Sequence, residues 1–360
     1  MKKFLQILLV SIIFANIGNA ISKPLAAYKV DNLWYIIDEE GKAIFNPINL
    51  KFVAGYSEGF YKVYLEIDSI KIWGFMNDKG EVAVPMCDDV RLFRNGMAMI
   101  SDLIDKDSEL RLFGFINKEG KMIVPKEFLD AVDYSEGLAW VMNRDYRGYV
   151  DTTGKMVIPW DTTGFGSAFN EGLAAMTNKD DRFGFINKKG EVVIPYQYDE
   201  VTNFVNGLAR VNILGKWGFI NQKGELEIEA DYDFALDFVE GFCFVGVPER
   251  NATNYKPNWG IINRGGGKVV DFRYEDIRDF HQGLGAVLED GKWKIIDYFG
   301  NKVVEKEFDN IESFRDGLAW AVDGDKSGFI DPTGEFNIVI PEEAEVLLDL
   351  RLNKLVKNKK

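Results

Sequence analysis

The sequence predicts an all-β tandem-repeat array of about nine three-stranded antiparallel units, stacked as an open solenoid, with a closed β-propeller as the alternative and a short C-terminal helix. Two observations predict it. A frame typified by Lys216-Trp217-Gly218-Phe219-Ile220-Asn221, followed by Gly224, recurs nine times between Trp34 and Gly334. Each recurrence sits among short runs of β-branched and aromatic residues bounded by Gly, Asn or Pro, the signature of strands and turns. The frame's glycines at 74, 114, 148, 184, 218, 260 and 328 are mostly spaced as one supersecondary unit of a repeat protein.

Within the unit the first strand is Gly207-Leu208-Ala209-Arg210-Val211, the second is the Trp-Gly run, and the third is Leu226-Glu227-Ile228. An Asn or Asp three places before a Gly separates the second and third strands in every copy, which predicts a type I turn closed by a left-handed glycine. One acid per turn offers too few oxygens for calcium. Pro85, Pro125, Pro159, Pro195 and Pro341 end the third strand, since a missing N–H stops the ladder. The linker Tyr198 to Phe204 has room for a short fourth strand, and the glycine before each first strand suggests close backbone approach to a neighbouring copy. Longer spacings mark insertions at 66–71, 101–111 and 248–257, which should emerge together on one side.

This frame resembles the WG-repeat family, whose pattern runs Gly-Leu-Ala-x-Val, Lys-Trp-Gly-Phe-Ile-Asp, Gly-x-x-Val-Ile-Pro. The resemblance spans nearly the whole chain after residue 20 and implies a bacterial β-rich binding or assembly surface without shared catalytic residues. Arg147 and Ser327 replace the Trp, and Tyr35 and Lys294 replace the Gly. Strands at Ala26–Val30 and Phe336–Pro341 would complete the two outer copies and leave no split unit to close a ring.

Residues 1–20 read as a cleavable export signal, with Lys2 and Lys3, an apolar run to Ala15, and small residues before a cut after Ala20. Residues 21–341 then form the repeat domain of a periplasmic or secreted protein. Residues 342–360 show an approximately helical stripe of Val346, Leu347, Leu350, Leu352, Leu355 and Val356, expected to be a capping helix with a basic tail that could touch a membrane surface. No stretch after the signal is long and apolar enough to span a bilayer.

A formal charge of −14, with basic residues interleaved among more numerous acids, argues against nucleic acid. Cys87 and Cys243 lie several copies apart and are not expected to pair. His281, the only histidine, sits in a linker beside Phe280 and leaves little for a His-dependent triad and none for a cluster of metal-binding histidines, and Gly265-Gly266-Gly267 lacks the Lys and Ser or Thr of a phosphate loop. No cofactor is expected. The expected function is a non-catalytic exported scaffold that binds a protein or glycan in the cell envelope, with a structural envelope component and a carboxylate-dependent glycan hydrolase as alternatives. The expected binding face is the variable place after Gly-Leu-Ala: Trp140, Trp320, Phe244, Met99 and Arg210 should form an outward column. The repeat-defining Trp34, Trp73, Trp217, Trp259 and Trp293 should instead pack between copies.

Overall fold

The computed structural model describes residues 23–67, 70–105, 107–160, 164–248 and 256–356. The export-signal segment, and with it the expected cut after Ala20, lies outside the described residues. Among the described residues there are nine antiparallel sheets and no helix.

Blade 6 shows the plan. Its strands Glu200–Val201, Leu208–Ile213, Lys216–Asn221 and Leu226–Tyr232 pair in sequence order. The unit therefore has four strands and not three, because the linker supplies a first strand two residues long, too short to show alternation. In blade 5 that place is held by the bridge Gly166↔Met176.

Alternation along the second strand builds the cores between blades. Leu138 and Trp140 face the fifth blade, whereas Ala139 and Val141 face the third. A strand covered on both faces is apolar at every position, which is why Leu138–Val141 are all buried. Nine apolar clusters result among the described residues, each shared by two consecutive blades. The series closes: Leu25, Ala26 and Leu347 of blade 1 pack on Trp320, Phe329 and Ile338 of blade 9.

The array is therefore a closed β-propeller, and the expected open solenoid is wrong. Its closure lies in the expected capping helix, which is a hairpin of strands Val346–Asp349 and Lys354–Val356. Val346–Asp349 pairs with Pro24–Val30 and supplies the first strand of blade 1, whose second and third strands are Pro24–Val30 and Leu33–Asp38. Helical spacing misleads here because both faces of the strand are covered. Leu347 joins the core with blade 9, and Leu348 joins that with blade 2.

Two turn types stand at one end of the ring. The Asn or Asp turn has the expected form: Gly224 N–H donates to the Asn221 carbonyl at 2.9 Å, and Asn221 Oδ1 accepts the N–H groups of Lys223 and Glu225. The glycine before the second strand follows another residue of positive φ, as in Glu171 (52°) and Gly172 (82°). That pair is the two-residue hairpin turn whose twist suits adjoining strands. A Cβ on Gly96, Gly137, Gly172, Gly241 or Gly317 would meet nothing within 4 Å. At Gly59 and Gly207 a Cβ would meet only a side-chain tip, Asp78 at 3.3 Å and Arg264 at 3.2 Å, so conformation requires these glycines and the expected close backbone approach is absent.

Close approach belongs to the Trp-Gly glycine. A Cβ on Gly218 would lie 2.6 Å from the Ile228 carbonyl oxygen, and one on Gly184 would lie 2.5 Å from that of Ile194. The fourth strand shifts register beside them and lies against the bare backbone. Where Tyr35 and Lys294 replace the glycine, the fourth strand is reduced to isolated bridges, Ile37↔Ala43 and Trp34↔Ile48 in blade 1, Ile296↔Lys302 and Trp293↔Phe308 in blade 8.

Candidate functional site

The residue after Leu-Ala in the second strand does not face outward. Trp140 and Trp320 are fully buried and Phe244 and Met99 nearly so, each in the core shared with the next blade. The expected exposed column is thus a set of side chains inserted between blades, because Trp140 shares its strand face with Leu138. Arg210, partly buried, reaches the same way and finds polar partners. Its Nε donates to Asp237 Oδ1 of blade 7 at 2.9 Å, its Nη1 donates to the Ala235 carbonyl, and its guanidinium lies 5.7 Å from the Trp217 ring centroid. Lys62 repeats the arrangement in blade 2, with Asp89 at 3.0 Å and the Trp73 ring at 4.4 Å. The repeat-defining tryptophans pack toward the following blade, as expected: Trp34 against blade 2, Trp73 against blade 3 and Trp293 against blade 9.

Lys62 borders a cavity of about 280 Å³ whose other lining residues are Ala54, Arg91, Leu92, Arg94, Asp133 and Asn353. The lining comes from four consecutive blades, which places the first-strand edges on the inside of the ring. Arg91 Nη1 stands 3.7 Å from Asp133 Oδ2, beyond hydrogen-bond length. Burial pushes the Asp133 carboxyl up, and the charges of Arg91 and Arg94 only partly offset that. Asn353 Oδ1 accepts the Tyr56 N–H at 2.7 Å. Sequence reasoning missed this site because its members have no fixed place in the frame. The signal available was Arg91 and Arg94, two cations in a linker where blades 4 to 7 carry Val132, Ser167, Thr202 and Leu236, then Ser135, Asn170, Val205 and Val239.

The remaining chemistry is sparse. No group of three or more His, Cys, Asp or Glu able to hold a metal occurs among the described residues. His281 is partly buried, and desolvation and the nearby Arg315 lower its pKa. Cys87 sits in the core between blades 2 and 3, where burial pushes its thiol up to about 12, and Cys243 sits between blades 6 and 7. Different cores hold them, so no disulfide joins them. Among the described residues no helix is long and apolar enough to cross a membrane.

A closed ring of repeated antiparallel blades, each sharing an apolar core with the next, defines the class: a β-propeller repeat scaffold. The signature of the WG containing repeat matches residues 73–101, 113–146, 148–181, 183–217, 217–247, 259–293 and 295–326, more than half of the chain, and the protein belongs to that family. Among solved structures it is similar to a eukaryotic initiation factor, at 11% identity and a TM-score of 0.60 over 89% of this chain and 98% of that one. It also matches BamB from Moraxella catarrhalis, at 13% identity and a TM-score of 0.43 over 76% of this chain and 93% of that one. At such identity the likeness concerns fold alone. No curated protein sequence matches the chain.

Proposed function

We propose that this propeller is a non-catalytic exported scaffold that binds a protein or glycan partner in the cell envelope. The observation that carries the reading is the division of labour in the repeat. The frame residues are used in packing and turns, while departures from the frame collect at places free to differ. The three insertions all join second to third strands, and antiparallel order puts those connections at one end of the ring, opposite the two glycine turns. Phe60–Ile67 with Ile70–Asn77 and Met97–Asp105 with Leu110–Asn117 form long hairpins projecting there. A rigid ring with variable projections suits a partner larger than a metabolite. Export rests on the charged and apolar pattern of residues 1–20.

Affinity capture from envelope extract tests the reading. The full chain should retain a reproducible protein or glycan partner. A variant in which the 101–111 insertion is cut to a two-residue turn like Leu214-Gly215 should lose it without a change in melting temperature. Turnover on a glycan or peptide panel would overturn the non-catalytic reading, and capture of nothing would favour a purely structural envelope component. N-terminal sequencing of the exported protein should begin at Ile21.

A further inference from the structure

We propose that the cavity at the inner edge of blades 1 to 4 is an anion-binding site, taking a carboxylate or phosphate group of a small ligand between Arg91, Arg94, Lys62 and Asn353. The ring itself does not demand its charges. At the places of Arg91 and Arg94, blades 4 to 7 carry small polar or aliphatic residues and close the same inter-blade contacts, blades 8 and 9 carry one arginine each, Arg278 and Arg315, and blade 3 carries both. The two arginines therefore go beyond what the repeat requires.

The geometry favours an oxyanion. Three cations and one carboxylate line the space, and with Asp89 bound to Lys62 a single positive charge is left over, in a chain of formal charge −14. Lys62 is held in place over Trp73 by Asp89, so its ammonium is positioned before any ligand arrives. Arg91 stands 3.7 Å from the partly buried Asp133, with its own side chain 55% exposed, so its guanidinium still has N–H donors to offer a ligand. Arg94 is exposed and forms no ion pair among the described residues. Paired guanidinium forks match the oxygens of carboxylate and phosphate. Asn353 Oδ1 accepts the Tyr56 N–H, and the NH2 of the same amide adds two donors that an oxyanion can use. Leu92 and Ala54 supply an apolar wall. The volume, about 280 Å³, lies at the small end of ligand pockets, so a metabolite-sized acid or phosphate ester fits better than a polymer.

Isothermal titration of the full chain with inorganic phosphate and, separately, with glutarate tests the site. Saturable binding of phosphate alone points to phosphate esters, and of glutarate alone to carboxylic acids; either supports the proposal, as does binding of both. R91Q/R94Q should weaken binding at least tenfold without shifting the melting temperature, while Arg182→Gln, in the blade 5 pair with Asp199, should leave it unchanged. Asp133→Asn removes the competing carboxylate and should tighten binding severalfold, a readout independent of whether the double variant folds. No saturable binding of either probe, or equal binding by R91Q/R94Q and the parent, overturns the proposal. The scaffold reading stands or falls separately, on partner capture by the parent chain.

Discussion

Gly218 and Gly172 separate the two reasons a repeat keeps a glycine. Gly218→Ala would drive a methyl group to within 2.6 Å of the Ile228 carbonyl oxygen, and overpacking of that kind costs about 1–3 kcal/mol. Gly172→Ala meets open space and pays only for its φ of 82°, about 1–2 kcal/mol. Hydrogen exchange should show fourth-strand amide protection falling in Gly218→Ala and persisting in Gly172→Ala. Equal protection in the two would refute the close-approach account. Trp140 is a sharper case, because its indole is fully buried and its Nε1 has no hydrogen-bond partner. Trp140→Ala should cost about 3–5 kcal/mol, the range for truncating a buried aromatic. Partner binding weakened without loss of stability would instead restore a surface role. The sequence placed the residue in the right strand and the wrong setting: its variability from copy to copy reads as exposure, whereas each inter-blade core simply accommodates a different volume, Ala175 in one and Trp140 in another.

At the scale of the element, the paired glycine turns form a chain of contacts around the ring. The Gly96 N–H donates to Glu58 of the preceding blade at 3.0 Å, Gly207 to Glu171 at 2.9 Å, Gly283 to Glu240 at 3.0 Å and Gly317 to Gln282 at 2.9 Å. Lys118 and Lys188, in the Asn turns of following blades, add ion pairs to Glu58 and Glu136 at 3.0 Å. Burial raises the pKa of both carboxyls, but the lysine hydrogen bonds and charges, with backbone N–H donors, outweigh it and hold them below the ordinary value of 4.5. A depressed carboxyl stabilises the fold above its unfolded pKa and loses that contribution as pH falls through its folded pKa. Thermal melting should therefore decline as pH falls below about 4.5. E58Q/E136Q should decline less steeply over the same interval; parallel curves would show that these turns bear no pH-dependent stability. The glycines and the Asn turns were legible because local backbone rules fix them. The partners of Glu58 and Glu136 were not, because they lie on the next blade and no local pattern names them.

For the whole molecule, one split blade decides between ring and open stack, and it was hidden for a physical reason. Blade 1 draws its first strand from Val346–Asp349, more than three hundred positions from the Pro24–Val30 strand it joins. A strand buried on both faces carries no period-2 signal, so Val346 to Val356 imitates a helix face. Closure is non-covalent and centres on an ion pair without solvent access. Arg351 donates to Asp349 at 2.7 Å, with side-chain exposures of 2% and 0%, and also to the carbonyls of Arg315 and Leu318 in blade 9. Removing one member leaves a buried charge alone and costs about 3–5 kcal/mol, whereas replacing both with apolar residues can be nearly neutral. Arg351→Leu should thus destabilise the ring strongly, and D349L/R351L should recover much of the loss. Truncation after Pro341 goes further: it removes Leu347 and Leu348, which complete the cores toward blades 9 and 2, and leaves Pro24–Val30 an unpaired edge. An unpaired strand edge beside exposed apolar surface templates association. The truncated chain should elute from size exclusion as oligomers and bind a hydrophobic dye, while the parent elutes as a monomer-sized ring. A truncated chain that stays monomeric and melts like the parent would show that the remaining blades hold the ring without their clasp.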